Sequence, residues 1–242
     1  MPNRNLTVQL RRPVVAAAIL MFAATPRMVV GQAATAQDEY YEDISATVQS
    51  LTWFWTREFT RMKPARQYTA LAGGISGYDA STAANLPCSG GGLNAYYCSQ
   101  DDGIHLEEPH FMRWYHKEVG DFAPVVILAH EWGHAIQGRL GFLGDSRALS
   151  IQTELQADCL GGAWTQYLEN ESTQYVLEPG DVDEAILGLF SGRDAVGTPW
   201  LDPRAHGTAS QRIEAFTLGR RSGAPRCFQD MPLPPKEPGI RR

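Results

Sequence analysis

The residues best equipped for chemistry are His130-Glu131-Trp132-Gly133-His134 and, twenty residues on, Glu154-Leu155-Gln156-Ala157-Asp158. The first run is H-E-x-x-H. On a helix, residues four apart stand on one face with roughly 5–6 Å between their Cβ atoms. Two imidazoles so placed suit a tetrahedral zinc ion, and Glu131 stands beside the metal as a proton carrier. The second run supplies an acidic third ligand, Glu154. One turn further, Asp158 can accept the outer N–H of a ligand histidine and set its tautomer. Three protein ligands leave one position for water. The pattern implies a catalytic site with one zinc per chain, held by His130, His134 and Glu154, with Glu131 as general base and acid. The competing reading is a metal-free polar network between two helices. Against it, burying two histidines and a glutamate without partners is costly.

Such a site needs rigid carriers. Pro124 suits the first turn of a helix and Gly141 its stop, which predicts a helix running to about Leu140. Val125, Val126, Ile127, Leu128, Ala129, Ala135 and Ile136 make it apolar on most sides, so it is expected to be buried. Trp132 is expected to pack behind it. Ser150 is the expected cap of a helix over about 151–169, which puts Glu154 and Asp158 on one face. Gly161-Gly162 inside it permits close approach of a neighbour. Residues 38–62 predict a packing helix ending before Pro64, with Trp53 and Trp55 as core or interface aromatics. The stretch 70–102 is loop-like, and a short strand is expected at Gly103–Glu107. Leu177 to Asp181 breaks the chain; helices are expected over 182–192 and 209–220. The tail from Pro225 is expected to run extended over the surface. His105, His110 and His116 match no ligand spacing and are expected at the surface or a rim. No internal repeat or interdomain linker is visible, so one α+β, mainly helical domain is expected over 37–242.

Residues 1–36 contain four arginines (Arg4, Arg11, Arg12 and Arg27) and no acid. Arg11-Arg12 precede an apolar stretch from Pro13 to Ala24, and Ala34-Thr35-Ala36 is an A-x-A site. That order is the one found in a secretory signal. The apolar stretch falls short of the ~20 residues a bilayer span requires. Cleavage after Ala36 and retention as an N-terminal anchor both remain open. Either places the rest of the chain in an extracytoplasmic or secreted location, with any membrane attachment confined to this segment. Without it, 17 basic residues face 27 acidic ones, which argues against nucleic acid as a partner. The remaining 206 residues suffice for a core. Four cysteines, none in a C-x-x-C pair, suit two disulfides in an oxidising compartment. Three pairings are possible; Cys88–Cys98 with Cys159–Cys227 is the one favoured.

The longer three-histidine motif fails here, because Gln137 and Leu140 stand where it needs Gly and His. A downstream glutamate ligand resembles the thermolysin-like gluzincin arrangement. Glu154-Leu155-Gln156-Ala157-Asp158-Cys159, the Leu177–Asp181 run, and His206-Gly207-Thr208 through Gln211-Arg212 to Ala215-Phe216 resemble the putative neutral zinc metallopeptidase family of bacteria. So does the loop bounded by Cys88 and Cys98, with Tyr97 and Asp101. The likeness runs from about residue 45 to 228. Asn94-Ala95-Tyr96 and Ser99 depart from the family pattern, and an insertion precedes Cys88; these bear on specificity. The resemblance implies a zincin-like fold with a small edge sheet and hydrolysis of a peptide or protein substrate. It also makes His206 a candidate donor to the developing oxyanion, with a brace on the last helix as the competing role. Arg212 is expected to tie that helix down. A zinc-stabilised scaffold, or a zinc hydrolase of a non-peptide amide, would carry much of the same pattern. Nothing in the pattern speaks to oligomeric state.

Overall fold

A computed structural model describes residues 36–62, 67–88, 92–143, 150–173 and 175–231. The segment expected as signal or anchor, up to residue 35, lies outside them, as do residues 232–242 of the tail. Among the described residues, seven α-helices and three short strands make a mainly helical α+β fold: α1 (Ala36–Met62), β1 (Gly74–Tyr78), β2 (Ala95–Cys98), β3 (Gly103–Glu107), α2 (Arg113–Glu118), α3 (Phe122–Leu140), α4 (Ser150–Asn170), α5 (Asp181–Ser191), α6 (Ala209–Ser222) and α7 (Ala224–Asp230). Among the described residues, no helix is long and apolar enough to cross a membrane.

The centre is α3. Residues Phe122 to Gly133 along it are all buried, as its all-round apolar sequence requires. Pro124 costs nothing there, because the first four N–H groups of a helix lack intrahelical acceptors. The Phe122 N–H is taken instead by the Glu184 carboxylate of α5, at 3.0 Å. Gly141 ends the helix in the left-handed region, φ 83°. Trp132 packs into the core and its indole N–H donates to the Tyr68 hydroxyl at 3.0 Å.

Helices α4 and α6 cross at backbone contact. A Cβ on Gly162 would stand 2.0 Å from the Phe216 carbonyl oxygen, and one on Gly219 1.8 Å from that of Cys159. This closeness lets Arg212 of α6 reach through to α4. Thr208 starts α6 with a reciprocal capping box to Gln211. The disulfides pair Cys88 with Cys98 and Cys159 with Cys227.

The sheet has the order β1-β3-β2, with β1 parallel and β2 antiparallel to the central β3. Two strands therefore lie inside the stretch expected to be loop. Two of the five β1 residues are glycine, and β2 is only four residues long. Neither shows the alternation that marks a strand, and both form by pairing with a distant segment. Arg139, in the last turn of α3, donates to both Asp102 oxygens at 3.1 and 3.0 Å. The Tyr97 hydroxyl donates to the same carboxylate at 2.8 Å, so the β2–β3 turn is clamped onto α3.

Two further expectations are corrected. His105 is buried, bonded through its two ring nitrogens to Ser76 (2.8 Å) and Asp101 (3.1 Å). His116 is largely buried against Asp43 at 2.8 Å; only His110 is well exposed. The histidines go inside because each finds a hydrogen-bonding partner there. The tail does not leave the body at Pro225: that residue sits in the first turn of α7, where its missing N–H is harmless, and Cys227 holds the helix to α4. Trp55 is a core residue, whereas Trp53 is half exposed and stacks on Tyr167.

Candidate metal centre

Helix α3 presents His130 and His134 one turn apart, and α4 presents Glu154 opposite them. The Nε2 atoms of the two rings are 3.2 Å apart. Glu154 Oε2 lies 3.1 Å from His130 Nε2, and Oε1 lies 3.4 Å from His134 Nε2. One ligand atom from each of the three residues falls within 4.8 Å of the others.

The outer ring nitrogens show what this convergence requires. His130 Nδ1–H donates to Asp158 Oδ1 at 2.7 Å. His134 Nδ1–H donates to Gln137 Oε1 at 2.9 Å. With both outer nitrogens donating, both Nε2 atoms and the Glu154 carboxylate aim lone pairs at one point. A cation held between them would satisfy all three. A proton bridges one pair at a time; a zinc ion accepts all three, and two nitrogens with one carboxylate oxygen are a donor set it prefers.

The electrostatics follow from the same contacts. Burial alone would lower the His130 pKa, but Asp158 and Glu154 reverse this and lift it to about 10 in the metal-free chain. Burial would raise Glu154, yet the charges of His134 and His130 hold it well below the ordinary carboxylate range. Asp158 is likewise held low, against its burial, by Arg212 and His130. A metal ion taken up here would have to displace a proton from the histidine pair, and its affinity would fall as pH falls.

Asp158 is fully buried and takes two donors from Arg212: Nε to Oδ2 and Nη2 to Oδ1, both 2.8 Å. Arg212 Nη2 also lies 3.5 Å from His130 Nδ1, too far to compete with the carboxylate. Glu131 is not among the three converging residues. Its Oε2 accepts the backbone N–H of Tyr97 from β2 at 2.8 Å. Burial raises its pKa, opposed by His130 and His134.

These groups open on a cleft of about 360 Å³ whose walls include Ala95 and Tyr97 of β2, Phe111, Ile127, Leu189 and His206. The His206 side chain is 47% exposed, and its Nδ1 is 3.8 Å from Asp194 Oδ1. Asp194 also accepts the backbone N–H groups of His206 and Gly207 at 3.0 and 2.7 Å. So His130, Glu131, His134, Glu154 and Asp158 come together, and His206 stands on the rim. Sequence reasoning named Tyr97 only within the loop bounded by Cys88 and Cys98 and gave it no role at the site, because β2 was not expected. It noticed Gln137 only as the absence of a glycine. It took Arg212 as a fastening for α6, although the guanidinium lands behind His130. Helical spacing from His134 was the available signal for Gln137.

The uncharacterized protein YpfJ of Escherichia coli K12 is 27% identical over 213 residues, covering 78% of this chain and 70% of YpfJ. The uncharacterized protein Rv2575 of Mycobacterium tuberculosis H37Rv is 31% identical over 157 residues, covering 55% of this chain and 53% of Rv2575. The chain thus spans about half the length of its mycobacterial relatives. No solved structure matches it. Residues 12–229 match the family described as putative neutral zinc metallopeptidase, and the chain belongs to that family.

Proposed function

We propose that this chain is an exported peptidase that holds one zinc ion through His130, His134 and Glu154 and hydrolyses peptide bonds. The observation that carries the reading is the convergence of three lone-pair donors beside a buried acid, Glu131, at the wall of an open cleft. A purely structural metal site has no use for that acid.

When bound, zinc supplies a Lewis acid that polarises a carbonyl and brings the pKa of a water molecule toward about 7. Glu131 takes the proton of that water and returns it to the leaving amine. Asp158 and Gln137 hold the two imidazoles in orientation. Among the described residues, β2 pairs with β3 on one side only. Asn94 O accepts the Glu107 N–H on the sheet side, while the Tyr97 N–H points the other way, to Glu131. An extended peptide laid along that outer edge would bring its carbonyl to Glu131. His206 is the candidate donor to the developing oxyanion. His206→Ala is expected to lower kcat about 10²–10³-fold with zinc content and Tm unchanged. A loss of Tm alone would leave it the role of a brace on α6. Export is supported by the two disulfides, which persist in oxidising compartments.

Metal analysis tests the ligand set. Purified protein should carry one zinc per chain, and Glu154→Gln should lose most of it while remaining folded. Peptide cleavage should vanish on chelation and return with zinc. Full zinc occupancy in Glu154→Gln, or cleavage undisturbed by chelation, would refute the assignment.

A further inference from the structure

Behind His134 runs a chain of amides with one polarity. His134 donates Nδ1–H to Gln137 Oε1 at 2.9 Å. Gln137 uses its amide hydrogens on the Thr153 carbonyl (2.8 Å) and on Gln156 Oε1 (3.2 Å). Gln156 donates its own amide to the Met231 carbonyl at 2.7 Å. Both glutamines are 0% exposed.

A carbonyl oxygen only accepts. Met231 O therefore fixes which end of Gln156 faces it, which leaves the Gln156 oxygen for Gln137. Thr153 O and Gln156 O together fix the Gln137 amide nitrogen between them, which leaves its oxygen for His134. The ring must then donate from Nδ1 and present its Nε2 lone pair forward. Thr153 adjoins the candidate ligand Glu154 in α4. Met231 follows α7, whose Cys227 is bonded to Cys159 in α4. Where Asp158 fixes the His130 tautomer with a charge, this chain of amides fixes that of His134 with neutral groups and anchors it to the end of α7.

We infer that Gln137 and Gln156 are positioning residues for the metal, holding His134 in the tautomer zinc requires, with their polarity set by the Met231 carbonyl at the end of α7. The inference rests on His134 being a zinc ligand, and His134→Ala tests that separately. If His134→Ala binds zinc like wild type, the ligand reading falls and this inference with it.

The experiment is zinc affinity of the full chain, by competition with a chromophoric chelator, together with Tm of the metal-free protein. Gln137→Leu is expected to weaken zinc about 10–100-fold. Gln137→Glu keeps an oxygen toward His134, so it should recover most of that affinity. Its Tm should still fall, because its second oxygen meets the Thr153 carbonyl. Affinity and Tm thus part company, which a mere packing role would not produce. Gln156→Leu, two side chains from the metal, should weaken zinc several-fold and alter the visible spectrum of the cobalt-substituted protein. If Gln137→Leu does not fold, Gln156→Leu carries the test. Zinc affinity equal to wild type in either leucine variant, or Gln137→Glu as weak as Gln137→Leu, would overturn the inference.

Discussion

Glu131→Gln is expected to keep its zinc and lose about 10²–10⁴-fold in kcat, the range a positioned proton carrier supplies. That loss corresponds to about 3–5 kcal/mol of barrier. The zinc should stay because Glu131 is not one of the three converging donors. The fold should stay because glutamine retains the shape and an oxygen for the Tyr97 N–H, which donates to Glu131 at 2.8 Å. What glutamine cannot do is take a proton. Steady-state kinetics on the zinc-loaded variant, with metal content measured on the same sample, checks both halves. Undiminished turnover would remove Glu131 from the mechanism. Loss of zinc along with turnover would show that it acts on the metal site instead.

Arg212→Met should bring the largest loss of stability. Asp158 is 0% exposed and takes two of its hydrogen bonds from this guanidinium. Removing one partner of a buried pair costs about 3–5 kcal/mol; Asp158 keeps His130 at 2.7 Å as its remaining partner, so the loss should fall at the lower end of that range. The variant should also bind zinc more weakly, since Asp158 no longer holds His130 in one place. The pH dependence has a definite sign. In the metal-free wild type, Arg212 and His130 keep the Asp158 pKa below its ordinary value, against the effect of burial. Such a group stabilises the fold above its unfolded pKa, about 3.9, and loses that contribution as pH falls below it. The deficit of Arg212→Met should therefore be full near neutrality and narrow in acid. Adding Asp158→Asn should recover part of it at neutral pH, because a buried carboxylate with only His130 as its partner is gone. Urea unfolding of the metal-free proteins at both pH values measures this. A deficit independent of pH would mean that Arg212 acts through packing alone.

Much of this arrangement is legible in the chain because it rests on helical spacing. His130 and His134, and likewise Glu154 and Asp158, need only the period of a helix to share a face. Pro124, Gly141 and the apolar run between them define α3 locally. Gly161-Gly162 announces a close neighbour, although the neighbour itself, α6, cannot be named from the pair. What resists reading depends on partners distant in sequence. β1 and β2 become strands only against β3, so the Tyr97 N–H that meets Glu131 has no local signature. α7 carries a proline in its first turn and is held by a disulfide to a helix 68 residues earlier. His105 is drawn inside by Ser76 of β1 and Asp101 of the β2–β3 turn. Gln137 looks like an ordinary polar residue until α4 is packed against α3.

The account is tested most directly by incubating the zinc-loaded protein with a mixed peptide library and reading the products by mass spectrometry, with Glu131→Gln alongside. It predicts new peptide termini from the wild type, abolished by chelation and restored by zinc, and none from the variant. Zinc-loaded wild type that yields no products would contradict it, and would point instead to a zinc-stabilised scaffold or a hydrolase of non-peptide amides.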